Sequence, residues 1–99
     1  MNRRSLPVIP PGEILYEEFL LPLGISMNAL ARSLAIPPNR ISEIVAGRRG
    51  ISADTALRLS KFFGTSAELW MNLQADHDLR LARRERGAEI DAHVRPRAA

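Results

Sequence analysis

The feature that most constrains the fold of this chain is a pair of adjacent prolines, Pro37 and Pro38. They stand between two short stripes of helical spacing in residues 26–49, SMNALARSLAIPPNRISEIVAGRR. On the first stripe Leu30, Ala31 and Leu34 recur at i, i+1 and i+4, one face of a helix. Ser26 lies just before it, and its hydroxyl can accept a bond from a free amide of the first turn. The helix stops at the prolines, which have no N–H to donate. Pro38 instead suits the first turn of a second helix, where the missing N–H is not needed. That helix turns Ile41, Ile44 and Val45 inward and ends at Gly47. Asn39, Arg40, Ser42 and Glu43 point the other way, followed by Arg48 and Arg49. Two helices meeting steeply across a tight turn, the second presenting short polar and basic side chains, form a helix-turn-helix. Such a unit lays its second helix in the major groove of duplex DNA.

Charge placement agrees. The net charge of +3 is small, but residues 31–61 hold six basic residues (Arg32, Arg40, Arg48, Arg49, Arg58, Lys61) against two acidic ones (Glu43, Asp54). Residues 1–30 hold two basic and three acidic side chains. A basic central segment is what a phosphate-binding surface requires. The 99 residues suffice for one domain with a modest core. The apolar share of 45% and charged share of 25% are those of an ordinary globular protein. No cysteine is present, which excludes disulfides and thiolate metal sites and fits a cytoplasmic protein. No apolar run approaches the ~20 residues of a membrane helix, and the N-terminal MNRRSLPVIPPG has no apolar segment of signal-peptide length. No membrane association is expected.

Taken in order, residues 1–10 read as a flexible arm kept extended by Pro7, Pro10 and Pro11. A first helix begins at Pro11 or Gly12 and runs to about Leu20, with Ile14, Leu15 and Phe19 inward and Pro22 and Gly24 ending it. The two central helices follow, with Ile36 plugging the turn. Ile51 is expected to be buried. Ser52 caps a fourth helix lined by Ala56, Leu59, Phe62 and Phe63, with Leu57 at its edge, which Gly64 terminates. A fifth helix starts at Thr65 or Ser66; Glu68 completes a capping box in the first case and is only a favourable early acid in the second. It is expected to reach about Arg86 and to fray at Gly87, leaving 87–99 as a disordered tail. The reading is all-α, a five-helix domain over residues 11–86 with no strand pattern or internal repeat.

Catalysis is not expected. The two histidines, His77 and His93, have no nucleophile or ligand at useful spacing, and the carboxylate pairs Glu17/Glu18 and Asp76/Asp78 sit on amphipathic faces with nothing to perturb them. Glycine-rich phosphate loops and metal-ligand spacings are absent, so no cofactor or metal is implied. One turn position stands out. Ala35 occupies the place where the chain often needs φ > 0; either an alanine there costs about 1 kcal/mol or the turn is slightly different.

The segments PPGEILYEEFLLPLGIS, LARSLAIPPNRISEIVAGRRGISADTALRLSKFFGTSAELWMNLQ and DLR resemble HigA-type antitoxins, a branch of the Cro/repressor-like helix-turn-helix proteins. The resemblance covers roughly residues 10–80. It implies a small DNA-binding dimer that represses its own operon and neutralises a co-encoded HigB-like toxin, a ribosome-dependent mRNA endonuclease. It also implies phosphate contacts for Ser26 and Asn28, and base-edge positions for Pro38, Asn39, Arg40, Ser42 and Glu43. Arg48 and Arg49 would hold the flanking backbone. The family usually carries glutamine after the serine that opens the second helix; here that residue is Met27, which leaves Asn28 or a helix N-terminal amide to take its part.

Arg40 has the chemistry to bond guanine O6 and N7 together, and Asn39 to do the same with adenine N6 and N7. A single such helix reads few base pairs, so a homodimer is expected, its recognition helices about 34–36 Å apart on a palindromic operator. Leu69, Trp70 and Leu73 of the fifth helix are the expected dimer surface, shared with the core. A stand-alone repressor of the same fold, without a toxin partner, is the alternative these residues leave open.

Overall fold

The computed structural model describes residues 7–98 and contains five helices among them. Helix α1 runs over Pro11–Leu23. Its middle, Leu15–Leu20, is wound as a π-helix, and the Leu21 N–H reaches back five residues to the Tyr16 carbonyl. This widened turn explains why Pro22 does not end the helix. In a regular α-helix its ring would crowd the carbonyl four residues earlier, and the looser winding just before it relieves that conflict. The helix continues past the expected end at Leu20 and stops at Gly24, where φ is +64°. The Ile25 N–H then closes the end on the Leu20 carbonyl at 3.0 Å.

Helix α2 (Met27–Leu34) and helix α3 (Pro38–Val45) follow, with α1 and α2 bent by 99° from one another. Helix α4 spans Ala53–Phe63 and helix α5 spans Ala67–His93. Three serines cap helices in the same way. Ser26, Ser52 and Ser66 accept from the amides of Ala29, Thr55 and Leu69 at 3.1, 3.2 and 3.1 Å. The cap of α5 is therefore Ser66. Thr65 has another task, accepting the Trp70 indole N–H at 2.8 Å.

The core is the set of inward stripes brought together: Leu15 and Leu20 from α1, Leu30, Ala31 and Leu34 from α2, Ile41 and Ile44 from α3, Ala56 and Leu59 from α4, and Trp70 from α5. Ile36 and Ile51 plug the two loops beside α3, as expected. Each fully buried large aliphatic chain contributes about 1.5–3 kcal/mol. Phe19 joins Phe63 and Trp70, with ring centroids 4.9 and 5.0 Å away, tying α1 to α4 and α5. Phe62, expected on the inner side of α4, stands 41% exposed and meets only the edge of that cluster through Phe63.

Two further boundary expectations need correction. Pro10 is not part of a free arm: its carbonyl accepts the Glu13 N–H at 3.0 Å and its ring packs over Gly47. Residues 1–6 of the expected arm lie outside the described residues. Nor does the last helix fray at Gly87, for it continues to His93, giving it a length of about 40 Å at ~1.5 Å per residue. Beyond Asp78 it carries no buried side chain. Good helix formers and side-chain pairs such as Asp76–Arg80 at 2.9 Å sustain it there, and offset the ~1 kcal/mol an interior glycine costs. Only 94–98 of the expected tail are non-helical among the described residues, and Ala99 lies outside them. No single helix among the described residues is long and apolar enough to cross a membrane.

Candidate nucleic-acid interface

The site is built on α3. Ile41 and Ile44 are 0% and 1% exposed, so the inner face of this helix is committed to the core and the opposite face must look outward. Pro38 occupies its first turn, and Pro38 and Asn39 are exposed. Arg40, at the margin of the outward face, is half-buried. Ser42 is also half-buried, and its hydroxyl donates to the Asn39 carbonyl at 3.0 Å. At the start of α2, Ser26 and Asn28 are exposed, with the amides of the helix N-terminus beside them. Met27 between them is partly buried and packs against the core. Its apolar side chain therefore serves the interior.

The turn after α3 brings further residues together. Gly47 adopts φ +77°, and the Arg48 N–H bonds the Glu43 carbonyl at 2.9 Å. The chain thereby doubles back over the helix end, and the Arg49 Nε donates to Glu43 Oε2 at 2.8 Å. Glu43, expected at a base edge, is thus engaged by its own loop from two directions. Arg48 and Arg49 are both exposed.

Two residues that the sequence reading did not single out hold this surface in place. Gln74 of α5 accepts the Ile51 N–H at 2.7 Å and donates to Asp78 at 2.9 Å, fastening the loop that carries Arg48 and Arg49 to the last helix. A signal for it exists: a polar side chain four residues after Trp70 falls on the inner face of α5. Arg58 of α4 donates to the carbonyls of Leu34 and Ala35 at 2.8 and 3.3 Å, and to Asp54 at 2.7 Å. It closes the C-terminal end of α2 just where Ala35 takes φ +56°, the one non-glycine residue with positive φ among those described. Its i,i+4 spacing from Asp54 reads as a surface ion pair, which hides this role.

On the expected dimer surface, Trp70 needs correction. It is 0% exposed inside its own protomer, because the aromatic cluster and the Thr65 hydroxyl together enclose its ring and its N–H. Leu69 is 38% exposed and Leu73 partly buried, so these two alone retain surface for a partner.

A family model described as helix-turn-helix matches residues 17–70. Virulence-associated protein I of Dichelobacter nodosus is 50% identical over 85 residues, which is 86% of this chain and 79% of that protein. An addiction module antidote protein of the HigA family from Coxiella burnetii superposes with a TM-score of 0.86 at 49% identity, covering 93% of this chain and 100% of the other. The chain belongs to the HigA-type branch of the helix-turn-helix family. Antitoxin HigA of Pseudomonas aeruginosa, solved with the higBA promoter, superposes with a TM-score of 0.89 at 44% identity over 93% of this chain and 100% of that one. Within a HigA-type frame, the five helices here form a DNA-binding domain whose second helix of the motif is α3.

Proposed function

We propose that this chain is the antitoxin of a type II toxin-antitoxin pair, acting in the cytoplasm. It represses its own operon as a homodimer on a palindromic operator and neutralises a co-encoded HigB-like mRNA endonuclease by binding it. The observation that carries the DNA half is the division of α3, with Ile41 and Ile44 sealed in the core while Asn39 and Arg40 stand at the outward edge. A helix so divided can enter a major groove without unfolding anything. Ser26, Asn28, Arg48 and Arg49 then supply phosphate contacts on either side, and Leu69 and Leu73 contribute to the dimer surface. Toxin binding is supported by membership of the HigA-type family, whose Pseudomonas relative is named an antitoxin.

The test is a mobility shift on the chain's own promoter at stated salt. Replacing Arg40 with alanine is expected to cost about 1–3 kcal/mol at one base pair and to relax preference there. Weakening that is equal across all operator variants would instead make Arg40 a phosphate contact. A small basic reading frame beside the gene is the expected toxin, and co-expression with it should yield a stable complex and restore growth; absence of such a frame, or failure of both outcomes with DNA binding intact, would leave a stand-alone repressor.

A further inference from the structure

The groove-facing side of α3 carries one acid, and acids are repelled by the phosphates of a duplex. Glu43 follows Asn39 by one helical turn, on the same face. A carboxylate there has three possible consequences: it reads a cytosine amino group, it simply opposes binding, or it serves another residue. The third is favoured by what surrounds it. Glu43 is half-buried, its backbone carbonyl receives the Arg48 N–H at 2.9 Å, and its Oε2 receives the Arg49 Nε–H at 2.8 Å. The turn at Gly47 is what folds both arginines back to this one residue.

The bond to Arg49 is made through Nε, the inner nitrogen of the guanidinium. The remaining N–H donors of the fork are the ones suited to a two-pronged grip on a phosphate. A long, otherwise free arginine side chain would lose rotamer freedom on gripping DNA, a cost that falls if its direction is already set. We propose that Glu43 is a positioning residue for DNA binding: it pre-orients Arg49 for the phosphate backbone flanking α3 and reads no base itself. This rests on the reading of Arg49 as a phosphate contact.

The experiment is a double-mutant cycle on the full chain, using Glu43→Ala, Arg49→Ala and the double variant. Affinity is measured on the chain's own promoter and on operators changed at each base pair, across a salt series. Arg49→Ala is expected to weaken binding about tenfold at low salt and to flatten the log–log salt slope by about one unit. Glu43→Ala should also weaken binding, by roughly threefold or more and equally on every operator, although it removes a negative charge from the DNA face. In the Arg49→Ala background the same change should have no effect or tighten binding. Glu43→Gln, whose amide oxygen still accepts from Nε, should recover part of the loss. Tighter binding by Glu43→Ala in the parent overturns the proposal in favour of plain repulsion, and a loss confined to one base pair overturns it in favour of base reading. If Arg49→Ala changes neither affinity nor slope, the phosphate-contact reading of Arg49 falls first, and the proposal with it. Matching thermal midpoints for all four variants exclude unfolding as the cause.

Discussion

Helices α2 and α3 finish with the same backbone geometry and are held there by different means. After each, one residue turns left-handed, Ala35 at φ +56° and Gly47 at φ +77°. After each, an N–H returns to the carbonyl five residues back, Ile36 to Ala31 at 3.0 Å and Arg48 to Glu43 at 2.9 Å. At the end of α3 the residue type suits the turn, and neighbouring chain packs flat against it: Pro10 over Gly47, and the backbone of Gly12 against the Ile44 carbonyl. At the end of α2 the residue type does not suit the turn. A charged side chain from α4, Arg58, grips the carbonyls of Leu34 and Ala35 there. One turn is specified by local chemistry and close packing, the other by a contact 23 residues away in the chain. The difference bears on the proposed DNA surface because the α2 turn sets the approach of α3, while the α3 turn sets Arg48 and Arg49.

The most severe way to break this comparison is at Gly12. A methyl group there would overlap the Ile44 carbonyl, which is backbone and cannot rotate away. Either α1 lifts from the end of α3 or the last turn of α3 is deformed. Gly12→Ala is expected to cost about 3 kcal/mol, at the upper end of overpacking penalties, read as a fall in the urea midpoint with little change in slope. A loss below about 0.5 kcal/mol, within the range of an ordinary surface substitution, would mean that the two helices are not pressed together as described.

At the other turn, Arg58→Ala should cost about 1–2 kcal/mol. Charge-assisted bonds to helix-end carbonyls are at the stronger end of protein hydrogen bonds, but the side chain is 39% exposed and solvent takes back part of the gain. Asp54→Ala separates the two partners. An exposed i,i+4 ion pair contributes only about 0.3–0.5 kcal/mol, so a larger loss in that variant would move the weight from the carbonyls to the ion pair.

These two turns also mark what was readable in the sequence. Gly47 ends its helix by residue type alone, and the inward stripes of Leu30, Leu34, Ile41 and Ile44 follow from spacing, because periodic burial is written in the order of residues. Arg58 and Gln74 were missed because their partners are backbone groups distant in the chain, and no local pattern encodes those. Trp70 is apolar in a way that fits a core or an interface equally; its enclosure depends on Phe19 and Phe63 arriving from other helices, with the nearby Thr65 hydroxyl taking its N–H. The continuation of α5 through Gly87 was missed for the opposite reason. Its hydrophobic pattern thins out, yet side-chain pairs along the helix, including Arg86–Glu89 at 2.6 Å, sustain it without a buried face. On the candidate DNA surface, spacing supplied the outward residues of α3, but the partnership of Glu43 with Arg49 depended on the turn between them.

The smallest effect is also the one that sharpens the comparison most. Ala35→Gly removes a left-handed strain of about 1–2 kcal/mol and adds the unfolded-state entropy of glycine, about 0.4–1 kcal/mol against it. The net expectation is a gain of roughly 0.5 kcal/mol, seen as a small rise in thermal midpoint. If Arg58 is what forces the alanine into this conformation, the two positions must couple, as residues in direct contact generally do. With Arg58 replaced by alanine, the alanine at 35 is free to leave the left-handed region, so less strain is left for a glycine to relieve. The gain from Ala35→Gly should therefore be smaller in the Arg58→Ala background than in the parent. Simple additivity of the two changes would mean that the α2 turn, like the α3 turn, is held by its own segment, and that the contact from α4 follows the turn rather than imposing it.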